Sequence, residues 1–366
     1  MTDIAIKKIV FASHDPGGFN LLVPVIRSYA ADPGFEVHLL LAGAALKRFA
    51  DLGVSAATLH HVASFSCKDY PCEFDVNPAE IESVLAGITP DAIVTGTSIN
   101  SNIERYSIQY GNANGTPTFS FIDSWVGENV RFRSAQLEVY PQNILVCDHA
   151  MADLYIGFAS PDCRISVVGN PHLENLYNEL HAITGESEYT GDRILFFSEN
   201  MFHYWPDGKL NEMQIVDQIL SSCQPARQIR IAIRPHPLES REHWVRFLDE
   251  RKDRNPMIHL ELDPIKDVRS SIRASLLTFG VSSMALIESS IMGKYTFSYQ
   301  VGIAGDKEML YIPFSEYGIA EKQDIADVCR VFDDPPAAAQ HARFSFENSL
   351  NKVRAHIGAE LMAHSQ

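Results

Sequence analysis

Short apolar runs of four to seven residues alternate with amphipathic segments of ten to fifteen residues along most of the 366-residue chain. Such alternation is typical of βαβ units, in which helices cover both faces of a parallel sheet. The first half contains six predicted strands: Lys8–Ser13, Glu36–Leu41, Asp91–Thr95, Thr116–Ile122, Asn143–Cys147 and Arg164–Val168. The second half contains five: Arg193–Phe197, Gln228–Ile233, Met257–Leu260, Leu276–Phe279 and Tyr295–Tyr299. The pattern predicts an α/β protein.

A polar segment rich in Gly, Ser and Thr interrupts the alternation at residues 181–192, as a linker does. A chain of this length is also expected to form about two domains. We therefore predict a Rossmann-like acceptor-side domain at 1–180 and a Rossmann-like nucleotide-binding domain at 193–345. A helical stretch from about Ala337 to Ser365 predicts a C-terminal helix, 346–366, that closes the structure. In such pairs of domains the carboxyl ends of both sheets face one cleft, where ligands bind.

Acidic residues outnumber basic ones by 46 to 30, which gives a formal net charge of −16. This balance argues against a nucleic-acid partner, because nucleic-acid-binding proteins carry a basic excess on one face. No run approaches the roughly 18 apolar residues that a membrane span requires, and the N-terminus lacks an apolar signal segment. We expect a cytoplasmic protein without stable membrane insertion, and the oligomeric state stays open.

The six cysteines are scattered along the chain without Cys-x-x-Cys spacing. Only Cys67 and Cys72 lie close together, and no second pair of Cys or His follows at the spacing of a zinc site. We therefore expect ordinary reduced thiols and no bound metal.

The first predicted strand runs directly into Ser13-His14-Asp15-Pro16-Gly17-Gly18. Gly17 and Gly18 allow the backbone to approach a ligand closely, and the following helix directs its positive end to the same place. His14 or Asp15 could accept a proton from an attacking hydroxyl group there. The alternative is structural: Asp15 caps the helix and His14 bonds to a neighbouring loop.

The strand Gln228–Ile233 runs into Arg234-Pro235-His236-Pro237, where two prolines stiffen the turn. Arg234 and His236 are suited to phosphate oxygens, because both can donate charge-assisted hydrogen bonds. The alternative is a proline-rich turn that carries a surface arginine.

A third segment, Phe279–Glu288, combines a strand end, a glycine turn and a serine-capped helix start. Hydroxyls of Ser282 and Ser283, together with the amides of the helix N-terminus, suit a phosphate group. Glu288 lies on an otherwise apolar helix face, where a carboxylate needs a partner such as two ribose hydroxyls. A serine cap is also the commonest way for a helix to begin.

Polar residues follow three further predicted strands. Ser198 could add a donor to a phosphate, whereas Ser98, Asp123 and Trp125 could bind an acceptor. An aromatic ring beside a carboxylate suits a sugar, which offers apolar faces and hydroxyl groups. Packing in the core explains Trp125 equally well.

These segments resemble the GT-B superfamily of nucleotide-sugar-dependent glycosyltransferases, which is related to the UDP-N-acetylglucosamine 2-epimerases. Gly280–Lys294 (GVSSMALIESSIMGK) matches a serine-containing loop, a glutamate six residues on and a Gly-Lys before the next strand. Val168–Pro171 is similar to the Gly-Asn-Pro turn that ends the first domain of these proteins. The resemblance implies that Ser282 and Ser283 bind the donor phosphate and that Glu288 binds the ribose, with no cofactor besides the nucleotide-sugar substrate.

The His-Pro of Arg234–Pro237 and the paired serines are also similar to motifs of bacterial sialyl-, Kdo-type and polyol-phosphate transferases. That similarity implies a cytidine nucleotide and a role for His236 in supporting the leaving phosphate. The general base of those enzymes belongs to an acidic pair followed by glycine, and His14-Asp15-Pro16-Gly17 departs from that motif. The 2-epimerases carry a His-Arg pair where this chain has Ser198-Glu199-Asn200.

The leading hypothesis is a metal-independent glycosyltransferase that acts on a CMP- or UDP-sugar and a glycan or small-molecule acceptor in surface-polysaccharide or glycoconjugate synthesis. Asp15 or His14 accepts the proton of the acceptor hydroxyl. Arg234, His236 and the helix end at Ser282 stabilise the departing phosphate. We expect these groups to form a locally positive pocket within an acidic protein.

Two alternatives remain. The same scaffold could epimerise or hydrolyse a sugar nucleotide, which requires acid and base groups around the donor sugar and no acceptor. The protein could also be a non-catalytic nucleotide-binding partner in glycan assembly.

Overall fold

The computed structural model describes residues 6–49, 56–69, 72–182, 191–201, 205, 207–237, 239–337 and 346–364. The chain divides into two compact units, one formed by Met1–Asn175 with Ser345–Gln366 and the other by Leu176–Phe344. Most of the expected linker, residues 183–190, lies outside the described residues. The domain boundaries deduced from the sequence therefore stay a prediction.

The first unit contains a parallel sheet in the order β3-β2-β1-β6-β7-β8-β9 and a separate antiparallel hairpin, β4-β5. Its described strands are β1 (Lys7–Ser13), β2 (Phe35–Leu41), β3 (Ala57–His61), β4 (Ser64–Asp69), β5 (Cys72–Val76), β6 (Ala92–Thr95), β7 (Thr118–Phe121), β8 (Asn143–Val146) and β9 (Arg164–Val167). The helices that begin in it are α1 (Pro16–Ala30), α2 (Gly43–Phe49), α3 (Pro78–Ile88), α4 (Ile103–Ala113), α5 (His149–Ile156) and α6 (Pro171–Ala182), which continues into the second unit.

The second unit contains a parallel sheet in the order β12-β11-β10-β13-β14-β15. Its described strands are β10 (Arg193–Phe197), β11 (Ile229–Arg234), β12 (Ile258–Leu262), β13 (Leu277–Gly280), β14 (Tyr295–Tyr299) and β15 (Ala320–Lys322). Its helices are α7 (Glu212–Ser222), α8 (Arg241–Asp249), α9 (Val268–Arg273), α10 (Met284–Ile291) and α11 (Ile325–Asp333). Two Rossmann-like sheets confirm the predicted α/β fold class.

Strands that the sequence analysis missed lie mainly at sheet edges or in the hairpin. β3 (ATLHH) and β15 (AEK) each pair on one side only, so they need no continuous apolar run. Helices α6 and α11 were also missed, although both are amphipathic. The central strands were found because burial on both faces demands residues such as those of β1, whose last five residues are buried.

The C-terminal helix α12 (Ser349–Ala363) packs onto the first unit, where Val353, Ile357 and Leu361 belong to the core around β1. Arg354 of α12 bonds to Asp32 at 2.5 Å. The helix begins at Ser349, after a turn at residues 346–348, and residues 338–345 of the expected helical stretch lie outside the described residues. Within the described ranges, no helix combines the length and apolar character that crossing a membrane requires.

The cysteines differ from expectation, because Cys223 and Cys329 form a disulfide that ties the end of α7 to α11. Cys147 and Cys163 are free thiols. Disulfides are rare in reducing compartments, so this bond counts against the cytoplasmic location, which stays a prediction.

We expect Ile357→Ala to lower the free energy of unfolding of the first unit by about 2–5 kcal/mol, because its side chain is fully buried. Met362→Ala is the matched control on the same helix, since Met362 is 67% exposed. Hydrogen exchange of β1 and β2 amides in urea reports on the first unit alone. Unchanged exchange in Ile357→Ala would show that α12 is not part of this core.

Candidate functional site

In both sheets the strand order reverses between the first strand and its neighbour on the far side. β1 leads to β2 on one side and lies beside β6 on the other, and β10 stands in the same relation to β11 and β13. Connections that leave in opposite directions open a crevice at the carboxyl ends of the strands, where α/β proteins bind ligands. The predicted motifs at Ser13–Gly18 and Gly280–Ser283 follow β1 and β13 at these two points.

His14 and Asp15 form a hydrogen-bonded pair beyond the end of β1, with 2.7 Å between His14 Nδ1 and Asp15 Oδ1. Asp15 occupies the N-cap position of α1 but makes no capping hydrogen bond with its side chain. The His14 side chain is only 7% exposed, compared with 24% for Asp15. Burial by itself lowers the pKa of His14, but the hydrogen bond and charge of Asp15, with the charge of Glu104, raise it above 6.5 overall.

Gly43 provides the surface against which the His14 ring lies. A Cβ atom at Gly43 would lie 2.6 Å from Cδ2 and 2.7 Å from Cε1 of the imidazole, too close for any real contact. Gly43 also has a positive φ of 54°, in the region that favours glycine. Glycine at this position therefore leaves room for the imidazole at the start of α2.

The two predicted glycines pack against the loops after β6 and β7. A Cβ atom at Gly17 would collide with the Asp123 carboxylate, and one at Gly18 would lie 3.2 Å from the Gly96 Cα. Small residues at both positions therefore bring the first turn of α1 close to the neighbouring strand ends.

Glu104, on α4, is a site residue that sequence analysis missed. Its Oε1 accepts the His14 backbone N–H at 2.8 Å, and the residue is 2% exposed. Its Oε2 is buried and has no hydrogen-bond partner among the described residues, as is also true of Ser13 Oγ. Burial, and then the charge of Asp15, raise the pKa of Glu104 to about 7.

Asp123 is held by a buried arginine that sequence analysis also missed. Arg131 Nη1 donates to Asp123 Oδ1 at 2.5 Å and to Thr97 Oγ1 at 2.8 Å. The Asp123 side chain is 19% exposed, so the carboxylate of this ion pair is partly accessible to solvent.

Two of the predicted acceptor-binding residues are buried and bonded to other protein groups. Trp125 is 3% exposed, and its Nε1 donates to the Asp148 carboxylate at 3.1 Å. Ser98 is 1% exposed and its carbonyl accepts from the buried Arg105 at 3.1 Å. Neither side chain presents a surface on which a sugar could lie, so packing is the better interpretation of both.

In the second unit, a carboxylate occupies the loop in which a phosphate was expected. Glu199 Oε1 accepts the backbone N–H of Val281 at 2.7 Å and that of Ser282 at 2.8 Å, and Oε2 accepts from Ser282 at 2.9 Å. Burial raises the pKa of Glu199 to about 7 despite these hydrogen bonds. The sequence did not indicate this side chain, and phosphate binding at the loop stays a prediction.

The serines of this loop have different roles. Ser283 is the N-cap of α10 and accepts the Ala285 N–H at 3.3 Å. Ser282 is fully buried, and its Oγ has no hydrogen-bond partner among the described residues. Glu288 lies half-buried on α10.

Glu239 connects the end of β10 to the turn after β11. Its Oε1 accepts from Ser198 Oγ at 2.7 Å and Trp244 Nε1 at 3.0 Å, and its Oε2 accepts from the His236 backbone at 2.5 Å. The sequence motifs at Ser198 and His236 therefore meet, through a glutamate that was not predicted.

Arg234 forms hydrogen bonds within the second unit. Nη1 donates to Asp263 at 2.5 Å and to the Ile265 carbonyl at 2.8 Å, and Nη2 donates to the Lys266 carbonyl at 2.6 Å. Asp263 also pairs with the buried Arg193 at 2.7 Å. These bonds fasten the loop after β12, and a phosphate role for Arg234 stays a prediction.

The locally positive pocket expected from the sequence is not what the structure shows. Glu199, Glu239 and Glu212, which accepts the Met201 backbone N–H, surround the end of β10. The guanidinium of Arg234 is committed to Asp263. In the described part of the chain, no group of three or more His, Cys, Asp or Glu residues could hold a metal ion.

The comparisons with known proteins are structural. The UDP-GlcNAc 2-epimerase from Neisseria meningitidis bound to UDP-GlcNAc is similar with a TM-score of 0.65 at 12% identity, over 96% of this chain and 100% of that chain. MurG from Acinetobacter baumannii gives 0.56 at 11%, over 96% and 99%. Anabaena Alr3699/HepE in complex with UDP gives 0.58 at 11%, over 98% of both chains.

The protein has the GT-B fold. This confirms the fold implied by the sequence resemblance. No protein-family model matches the sequence, and no curated protein matches it. The reaction of this GT-B protein must therefore be argued from its own residues.

We expect Gly43→Ala to displace the His14 ring and lower its pKa relative to the wild-type protein, because the hydrogen bond to Asp15, which raises that pKa, is lost. Gly115→Ala is the matched control: Gly115 also has a positive φ, 68°, but no atom lies within 4 Å of an added Cβ. An NMR titration of the His14 ring, assigned with His14→Gln, measures the effect. Equal pKa values in the two variants would contradict the packing described.

We expect Glu104→Gln to remove a pH dependence of stability. The unfolded chain loses the glutamate proton near 4.5 and the folded protein near 7, so the folded state binds more protons in between and its stability falls as the pH rises. Above pH 7 the ionised group costs on the order of 1–3 kcal/mol. Urea unfolding at pH 5 and pH 8 measures this effect. The free energy of unfolding of the variant should exceed that of wild type only at pH 8. The exposed Glu82→Gln is the control, and a parallel change in it would refute this assignment.

Proposed function

We propose that this protein is a metal-independent glycosyltransferase that transfers a sugar from a nucleotide-activated donor to a hydroxyl group of a glycan or small-molecule acceptor. The observation that carries the proposal is the hydrogen-bonded pair of Asp15 and His14 at the reversal of strand order in the first sheet. A carboxylate oriented by a buried imidazole, at a place where α/β folds bind ligands, is suited to accept a proton.

Asp15 is the general base of the proposed reaction, because it is the more exposed member of the pair. The acceptor oxygen attacks the anomeric carbon and forms the new glycosidic bond. The bond from that carbon to the nucleotide phosphate breaks, and the hydroxyl proton passes to the Asp15 carboxylate. His14 and Gly43 keep the carboxylate in position. Because these groups are already positioned before the acceptor binds, less entropy is lost on the way to the transition state, which lowers the barrier.

The second unit binds the donor in this proposal. The loop around Ser282 and Ser283 lies at the reversal of strand order in the second sheet, and the His236 turn follows β11 on the other side of β10. Glu288 on α10 remains the proposed ribose ligand.

The donor to be tested first is a UDP-sugar. The similar structures carry UDP-GlcNAc or UDP by their descriptions, which supports a uridine nucleotide over the cytidine nucleotide that the His-Pro motif suggests. Thermal shift with UDP, CMP, CDP and GDP decides between them, because a binder raises the midpoint in proportion to the logarithm of its excess over Kd. If no nucleotide raises the midpoint, the donor-site proposal fails.

A second candidate is a sugar-nucleotide epimerase or hydrolase. In the first unit, Asp15, Glu104 and Asp123 lie close to the carboxyl end of β1. They supply acid and base groups of the kind that such a reaction requires. The 2-epimerase similarity supports this candidate as well. Incubation of UDP-GlcNAc with the protein in the absence of any acceptor separates the two: complete conversion would favour the epimerase or hydrolase.

We expect Asp15→Asn to lower kcat for sugar transfer by about 10²–10⁴-fold, because the general base is lost. The donor Kd should change little, since the proposed donor site belongs to the second unit. Asp162→Asn, at an exposed turn of the first unit, is the control and should leave both values unchanged. Transfer from radiolabelled UDP-GlcNAc to a panel of oligosaccharides measures kcat, and calorimetry measures Kd. Full activity in Asp15→Asn would refute the base assignment.

A further inference from the structure

The amides of the loop that precedes α10 donate to the carboxylate of Glu199. Glu199 uses both carboxylate oxygens on the amides of Val281 and Ser282 and is 9% exposed. Among the described residues, no Lys, Arg or His forms an ion pair with it. Backbone dipoles alone therefore offset the charge of a buried carboxylate, which is costly to desolvate.

The neighbouring charges add to that cost. Glu212 of α7 accepts the Met201 N–H, and its charge acts on Glu199. Glu239 accepts from Ser198, which directly precedes Glu199 in the chain. The adjoining elements also carry Arg234 at the end of β11, His236 after β11 and Glu288 on α10. A further anion at this loop would bring a fourth negative charge to the three carboxylates at the end of β10.

Ser282 supplies an independent sign that the loop is prepared for a ligand. Its side chain is fully buried, and its Oγ has no hydrogen-bond partner among the described residues. A buried hydroxyl without a partner costs free energy that a bound phosphate oxygen can recover. The eight-residue helix α10 begins at the next residue but one.

We propose that donor binding at this loop is coupled to the uptake of one proton by the Glu199 carboxylate. The inference rests on the proposed nucleotide-sugar function and deepens it, because it assigns to Glu199 a specificity role at the donor phosphate. The proton comes from solvent and converts the carboxylate to a carboxylic acid. The acid keeps a carbonyl oxygen for the Val281 and Ser282 amides and gains an O–H that can donate to phosphate.

The ionisation of Glu199 supports the coupling. Its pKa is already about 7, so protonation near neutral pH is accessible. A phosphate close to the carboxylate raises that pKa further, since a like charge disfavours ionisation. By linkage, the donor must bind more tightly as the pH falls through about 7 and more weakly as it rises.

The coupling is measured by calorimetry of the whole protein with UDP-GlcNAc, whose two phosphates are both esterified and do not titrate between pH 6.5 and 8. Titrations at pH 7.5 in two buffers of different ionisation enthalpy give the number of protons taken up. We expect about one-half to three-quarters of a proton, because Glu199 is already partly protonated at pH 7.5, and a Kd up to roughly eightfold weaker at pH 8 than at pH 6.5. This wild-type measurement requires no variant to fold.

Glu199→Gln keeps an acceptor oxygen for the loop amides and cannot ionise. We expect it to abolish proton uptake and to bind UDP-GlcNAc roughly tenfold more tightly than wild type at pH 8. Glu242→Gln, on the exposed face of α8, is the control and should keep the wild-type proton count. His236→Asn removes the imidazole of the turn after β11.

The outcomes separate the two proposals. Binding without proton uptake overturns the role of Glu199 and leaves the nucleotide-sugar function standing. Uptake that persists in Glu199→Gln but disappears in His236→Asn assigns the proton to His236 and also overturns the inference. Absence of nucleotide binding overturns the proposed function, and the inference with it.

Discussion

Two buried glutamates accept backbone N–H groups at the reversal points of the two sheets, and the geometry of both candidate sites depends on them. Loops at the ends of buried parallel strands leave amides without a strand partner, and an unpaired buried amide is costly. Glu104 satisfies the amide of His14, and Glu199 satisfies those of Val281 and Ser282. Burial raises the pKa of each glutamate to about 7, although the backbone hydrogen bonds favour the ionised form.

This arrangement changes the meaning of the acidic composition. The net charge of −16 is not confined to the outer surface, because carboxylates also hold the loops where ligands are expected. Arg131 and Arg234, which could oppose that charge, are engaged by Asp123 and Asp263. The proposed proton uptake by Glu199 is one means by which the loop before α10 can accept a further anion.

Much of the fold could be predicted from the sequence, because central parallel strands are buried on both faces and must be continuously apolar. The edge strands β3 and β15 escaped detection since one side of each lacks a neighbour in the sheet. In the site, the glycine and serines predicted an anion site at the loop before α10, and donor binding there stays a prediction. The contact of Glu199 with the loop amides could not be predicted, since Glu199 is separated from Ser282 by 83 residues and no local pattern links them.

Periodicity and turn chemistry by themselves determined that the chain forms two Rossmann-like sheets with glycine- and serine-rich loops after particular strands. They are local properties, set by burial and backbone conformation within a few residues. Only the tertiary structure decided which groups meet there: Glu104 with the His14 amide, Arg234 with Asp263, and Glu199 with the amides before α10. Strand order brings together side chains from distant segments, and their ionisation depends on that proximity and on burial.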